Sequence, residues 1–238
     1  MGVVKLGFAV GIEHAFESDH VTAVSTQISR IKSQKTKAKI LKNTLTKTTI
    51  LGALWGAGHT TTLVMVGFLA YVLTISIQPQ IFATLEFGVG IMLVFLGIAT
   101  ILNRNKFFKT KHRHPHQHKD GTVHFEKHEH DDSDHSHGHK SYLIGLFHGL
   151  AGSGSLIVLT ATALENPFLM LGFILIFGIG SIIGMSVVSG VMGFPIAFIS
   201  RVNTIHKIFR YVAGSFSFLI GANIIYEIGV LDNLFSIF

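Results

Sequence analysis

The stretch GIEHAFESDH, residues 11–20, puts five ionisable side chains, Glu13, His14, Glu17, Asp19 and His20, into a mostly apolar run that reaches residue 28. Each such group costs roughly 2.5–3.5 kcal/mol in hydrocarbon on insertion scales, so the cluster needs partners. At about 100° per residue, Glu13, Glu17 and His20 share a helix face about 60° wide, whereas Asp19 lies about 140° from His14. One straight helix therefore cannot aim His14, Asp19 and His20 at a single ion. Either the helix is locally unwound or kinked, as transporter binding helices often are, or only part of the cluster ligates. The bland alternative is a hydrated position near the outer membrane interface.

Composition sets the context for that cluster. With 48% hydrophobic and 13% charged residues, 25 glycines and a mean hydropathy of +0.51, this 238-residue chain is too apolar for a soluble domain. The absence of cysteine excludes disulfides and thiolate metal sites. Six stretches, roughly 3–28, 48–74, 80–102, 142–164, 168–193 and 208–230, are long enough to cross ~30 Å of hydrocarbon as helices. Pro79 and Pro167 fall where two of them begin, positions at which a missing N–H is harmless. The net charge of +6 does not indicate a nucleic-acid partner, because the basic residues lie between apolar runs. Of 19 Lys and Arg, seven fall between the first two stretches, eight between the third and fourth, and three between the last two. The positive-inside rule then predicts these loops in the cytoplasm and both termini outside. No signal peptide is expected, since the first apolar segment carries the acidic cluster and lacks a small-residue cleavage site.

The halves share landmarks. GIEH (11–14) matches GLFH (145–148), WGAGH (55–59) parallels FGIGS (177–181), and Gly90 and Gly97 parallel Gly214 and Gly221 at the same spacing. Three helices per repeat would insert the second repeat inverted. The expected fold is all-α and polytopic, with six transmembrane helices in two inverted repeats, residues 1–102 and 142–238, joined by a His-rich loop at 103–141.

Other histidines lie in the apolar segments. His59, in GAGHTTT, and His148, in HGLAGSGS, sit among glycines that permit close backbone approach. Singly, each reads as a hydrogen-bonded packing residue. With His14, Asp19 and His20 they make a sulfur-free imidazole and carboxylate set, suited to Ni²⁺, Co²⁺ or Zn²⁺ rather than Mg²⁺ or Ca²⁺. Glu13 and Glu17 are secondary candidates. Glu86 and Glu227 are candidate proton carriers, with a solvated helix end as the plainer reading of Glu227.

HAFESDH (14–20) resembles the H-x4-D-H signature of the nickel/cobalt transporter family, LWGAGHTTTL (54–63) is similar to that family's next motif, and GMS (184–186) is similar to a later one. GLFHGLAGSGSL (145–156) departs from the acidic fourth-helix motif of the eight-helix members and looks like the urease-accessory UreH-type branch. The resemblance implicates His14, Asp19, His20 and His59 as ligands, with His148 resting on the branch pattern. It implies uptake of Ni²⁺, with Co²⁺ as the alternative, supplying enzymes such as urease.

The segment 112–139 holds ten of the chain's 15 histidines. It has no apolar periodicity, so disorder or metal-dependent order is expected. His112, His114, His116, His118, His135, His137 and His139 stand at His-x-His spacing, which lets neighbouring imidazoles chelate loosely.

The sequence thus predicts a multi-pass cell-membrane carrier that binds its ion in the outer half of the bilayer, with affinity falling as pH drops through the histidine range. The ion is cargo, and no resident cofactor is expected. Expected partners are the divalent ion, membrane lipids, and a cytoplasmic nickel chaperone or urease maturation protein. Two alternatives stay open: a proton-coupled exporter with the loop as its antenna, and a membrane-bound nickel chaperone or sensor without transport. An intramembrane hydrolase is disfavoured, because the serines of GSGS (152–155) have no identifiable base at a matching spacing.

Overall fold

A computed structural model describes residues 2–29, 37–72, 79–102, 114–117, 123–126, 133–149, 166–199 and 203–232. The helices are α1 (Gly2–His14), α2 (Ser18–Ile28), α3 (Lys37–Val72), α4 (Pro79–Ile101), α5 (Ser133–Gly149), α6 (Pro167–Ile199) and α7 (Asn203–Tyr226), the last continuing into a π-helical turn, Glu227–Leu231. Among the described residues, four helices are long and apolar enough to cross a membrane, over Leu41–Leu69, Gln80–Ile101, Phe168–Ala197 and Thr204–Leu231. The second half of the expected 142–164 stretch, with GSGS, lies outside the described residues.

Three differences from the sequence reading stand out. The single first segment is two helices, because the chain breaks between His14 and Ser18. The second segment begins at Lys37 rather than near 48, so α3 carries four lysines in its first three turns; long Lys stems can run along a helix end toward the interface. The His-rich segment, for which disorder or metal-dependent order is expected, contains two short antiparallel strands, β1 (His114–Gln117) and β2 (Val123–Glu126), with His116 opposite His124, and α5 already begins at Ser133. A two-strand ladder needs only local backbone pairing, which hydropathy patterns do not register.

Local chemistry explains the helix starts. Asn166 caps α6, its Oδ1 accepting from the N–H of Phe168 at 2.9 Å, and Pro167 takes the first helical position. The outer surface, unlike that of a soluble protein, is largely apolar over an interior that also buries polar groups. Phe147, Phe168, Val191 and Leu219 expose large apolar side chains, while His59, Thr26 and Ser181 are fully buried. Hydrocarbon on the outside and polar groups packed within suit a bilayer.

α3 packs along α6, α4 along α7, α5 on α3 and α1 on α6, with α2 set inward against α4, α6 and α7. Glycine sets these distances, and its contacts come in matched pairs. A Cβ on Gly11 would strike the carbonyl of Phe177, and one on Gly145 would strike that of Trp55. The same substitution would collide with Tyr142 at Gly58 and with Phe8 at Gly180. Between α4 and α7, a Cβ on Gly97 would lie 2.6 Å from the carbonyl oxygen of Gly214, and one on Gly221 would lie 2.6 Å from that of Gly90. Each pair exchanges under the sequence correspondence of GIEH with GLFH, WGAGH with FGIGS, and Gly90/Gly97 with Gly214/Gly221.

Candidate metal centre

The break between α1 and α2 builds the site. After His14 the backbone makes three tightened bonds, Ala15 N–H to Ile12 O at 3.2 Å, Phe16 N–H to Glu13 O at 2.9 Å and Glu17 N–H to His14 O at 3.1 Å. Glu17 then turns extended, at φ −60° and ψ 148°, and α2 restarts at Ser18. A shortened last turn followed by an extended residue ends one helix and re-aims the next. His14 and His20, which a straight helix would point about 120° apart, meet with ring centroids 4.3 Å apart.

His59 from α3 and His148 from α5 complete the cluster. The four imidazoles are buried, none more than 2% exposed. His14 Nε2 lies 3.0 Å from His59 Nε2, and the His20 and His148 centroids are 4.3 Å apart. Ring nitrogens of His14, His20 and His59 fall within 4.8 Å of one another, as do ligand atoms of Asp19, His20 and His148. His20 therefore belongs to both sets. Of the five histidines outside segment 112–139, four converge here.

The carboxylates hold the rings. Glu17 Oε1 is 3.0 Å from His14 Nδ1. Asp19 Oδ1 accepts from the His20 N–H at 2.8 Å and lies 2.9 Å from His20 Nδ1, while its Oδ2 lies 2.9 Å from His148 Nε2. A carboxylate on one ring nitrogen fixes an imidazole's orientation and leaves the other nitrogen for a metal. His20 Nε2, His59 Nδ1 and His148 Nδ1 are buried with no hydrogen-bond partner among the described residues. Trp55 and Phe177 wall the cluster, with centroids 5.2 Å from His20 and 5.3 Å from His14 respectively. Neither was singled out by its chemistry, although Trp55 stands one turn before His59 and Phe177 is its counterpart in FGIGS.

The donors fit a borderline divalent ion. Two nitrogens bound at about 2.0–2.1 Å with angles between square and tetrahedral stand about 2.9–3.3 Å apart, and the His14–His59 separation of 3.0 Å lies in that range. Glu13 is exposed, outside both ligand sets, and Glu17 reaches the site through His14. Of the loop candidates, His112 and His118 lie outside the described residues; His114 and His116 are on β1, His135 and His137 on α5, and His139 is exposed on α5.

Fold and site together define a class: a helical membrane protein with imidazoles and carboxylates gathered in its interior around a broken helix. The chain is 34% identical over 237 residues to urease accessory protein UreH from Bacillus sp. (strain TB-90), an alignment covering 100% of this chain and 96% of that protein. It belongs to the UreH family of urease accessory proteins. No family model matches it, and no solved structure does.

Proposed function

We propose that the protein is a six-span carrier that brings Ni²⁺, and with lower preference Co²⁺, into the cell for nickel enzymes such as urease. The observation that carries this reading is the convergence of four buried imidazoles from α1, α2, α3 and α5 beside Asp19, deep in an apolar helical body. Buried ionisable groups in such a setting mark ion pathways.

The six proposed spans are the apolar stretches 3–28, 48–74, 80–102, 142–164, 168–193 and 208–230, to which α1 with α2, α3, α4, α5, α6 and α7 contribute in turn. The exchange of glycine contacts between halves supports two inverted three-helix repeats, and the Lys/Arg alternation supports external termini and a cytoplasmic loop 103–141. α1 rises about 18 Å from Gly2 to His14, and this length supports a site reached from the outer half of a ~30 Å core. An ion arriving from outside exchanges water for neutral imidazoles, is held in the cluster, and is released inward as the repeats rock. The relative's name, urease accessory protein, supports a link to urease, and we propose that the ion is handed on by a cytoplasmic nickel chaperone or maturation protein.

The test is initial uptake of Ni²⁺, Co²⁺, Zn²⁺ and Mn²⁺ into liposomes containing only this protein. Saturable Ni²⁺ uptake, with Co²⁺ second, is the expected result. Saturable binding without uptake would replace the carrier with a membrane-bound chaperone. Cells expressing the protein should become nickel-loaded and nickel-sensitive; nickel resistance would reverse the direction to export.

A further inference from the structure

α2 is polar, SDHVTAVSTQI, yet most of it is enclosed: Thr22, Ala23, Thr26 and the capping Ser29 are 0% exposed, Ile28 is 1% exposed and Val24 3%, while Ser18 is exposed and Asp19, Val21 and Gln27 are half-buried. An all-round buried helix is ordinarily apolar all round. Its hydroxyls are arranged. Thr22, Ser25, Thr26 and Ser29 lie within about 100° of arc, and Asp19 stands one turn before Thr22 on the same side. His20 projects away from that stripe, toward the other imidazoles.

Three of the hydroxyls spend their proton on their own helix. Ser25 Oγ donates to Thr22 O at 2.7 Å, Thr26 Oγ1 to Ala23 O at 2.8 Å and Ser29 Oγ to Thr26 O at 2.8 Å. Each oxygen is left with lone pairs and no proton to offer, which suits a cation or its water better than an anion. Thr22 Oγ1, next to the carboxylate end, is fully buried with no hydrogen-bond partner among the described residues. A stripe present only for close helix packing could be alanine and would not leave that oxygen unmatched.

We infer that this hydroxyl stripe is the inward half of the ion's path, a set of weak oxygen sites for a partly hydrated divalent cation leaving the histidines, closed in this conformation. The inference rests on the transport reading. From Asp19 to Ser29 the stripe rises about 15 Å, half of a ~30 Å core, and it ends at the basic segment assigned to the cytoplasmic side. Hydroxyl oxygens bind a borderline ion less tightly than imidazoles do, so they can pass it on without trapping it.

Two measurements test this. Thr22→Val and the double variant Thr26→Val/Ser29→Ala should retain Ni²⁺ binding in detergent within about twofold while initial Ni²⁺ uptake into liposomes falls about tenfold or more. Wild-type uptake in folded variants would overturn the inference. The chain has no cysteine, so single cysteines can map the path directly. Thr22→Cys, Ser25→Cys, Thr26→Cys and Ser29→Cys should react with an impermeant cationic thiol reagent applied from the loop side, with Ni²⁺ slowing the reaction. Val21→Cys, Ala23→Cys and Val24→Cys should not react. Uniform reactivity along α2, or none at the stripe with or without Ni²⁺, would overturn the inference even if the variants lose uptake. Should the wild-type protein bind Ni²⁺ without carrying it, the transport reading fails, and the labelling pattern still decides whether the stripe is a water-lined path.

Discussion

Two regions of this chain are rich in histidine, and they use it in opposite ways. The four interior imidazoles come from three stretches far apart in sequence and are almost wholly buried, and three of their rings are oriented by Glu17 or Asp19. The ten histidines of 112–139 are close in sequence, and His139 at its end is exposed. A side chain fixed by neighbouring helices can select an ion by geometry, whereas one in a polar, closely spaced tract adds capacity but accepts whatever the affinity order favours. Ligand number is therefore a poor guide to selectivity; what constrains the ligands decides it.

The largest expected effect follows from the interior set. His20→Ala, removing the residue common to both ligand sets, should abolish saturable Ni²⁺ uptake in liposomes, as should His14→Ala and His59→Ala. Unchanged apparent affinity in His14→Ala and His59→Ala would show the cluster to be packing. Asp19→Asn should be the next most damaging. It keeps the shape but weakens the hold on His20 and His148, and Ni²⁺ affinity measured by calorimetry should fall about 10- to 100-fold, as is typical when a ligand's outer partner is lost. Glu17→Gln should lose less, because Glu17 is 41% exposed and contacts one of the four imidazoles, that of His14. Acidification sharpens the comparison: imidazoles must be neutral to ligate, so Ni²⁺ affinity should fall with falling pH in the wild type and in a loop-deleted protein alike. The smallest effect belongs to the loop. Replacing residues 112–139 with a short Gly/Ser linker should leave the initial uptake rate and the Ni²⁺ over Co²⁺ preference within about twofold, while less metal is retained at the inner face. A loss as large as that of His20→Ala would move the selective site to the loop.

Much of this was legible along the chain. Five ionisable groups in an apolar run demanded a purpose, and the 140° between His14 and Asp19 required either a broken helix or an incomplete site. The residues could not say which, since a break at Ala15–Glu17 is decided by what packs on either side and HAFES contains neither glycine nor proline. Glu17 and Asp19 read as ligands from composition; their roles as ring-orienting carboxylates emerge only when distances are known. The hydroxyl stripe of α2 is periodic in the sequence, but its enclosure is not.

By itself, the sequence determined the apolar helical character, the presence of sulfur-free imidazole and carboxylate donors in apolar segments, and the glycines at which helices touch. Each of these depends on residue type and short-range spacing. Only the tertiary structure decided that α1 and α2 are separate helices, that residues 14, 20, 59 and 148 share one interior, that Trp55 and Phe177 wall it, and that α2 is enclosed. Those outcomes depend on contacts between helices remote in sequence, from His14 with His59 to His148 with Asp19, and no local pattern encodes which face of one helix meets which face of another.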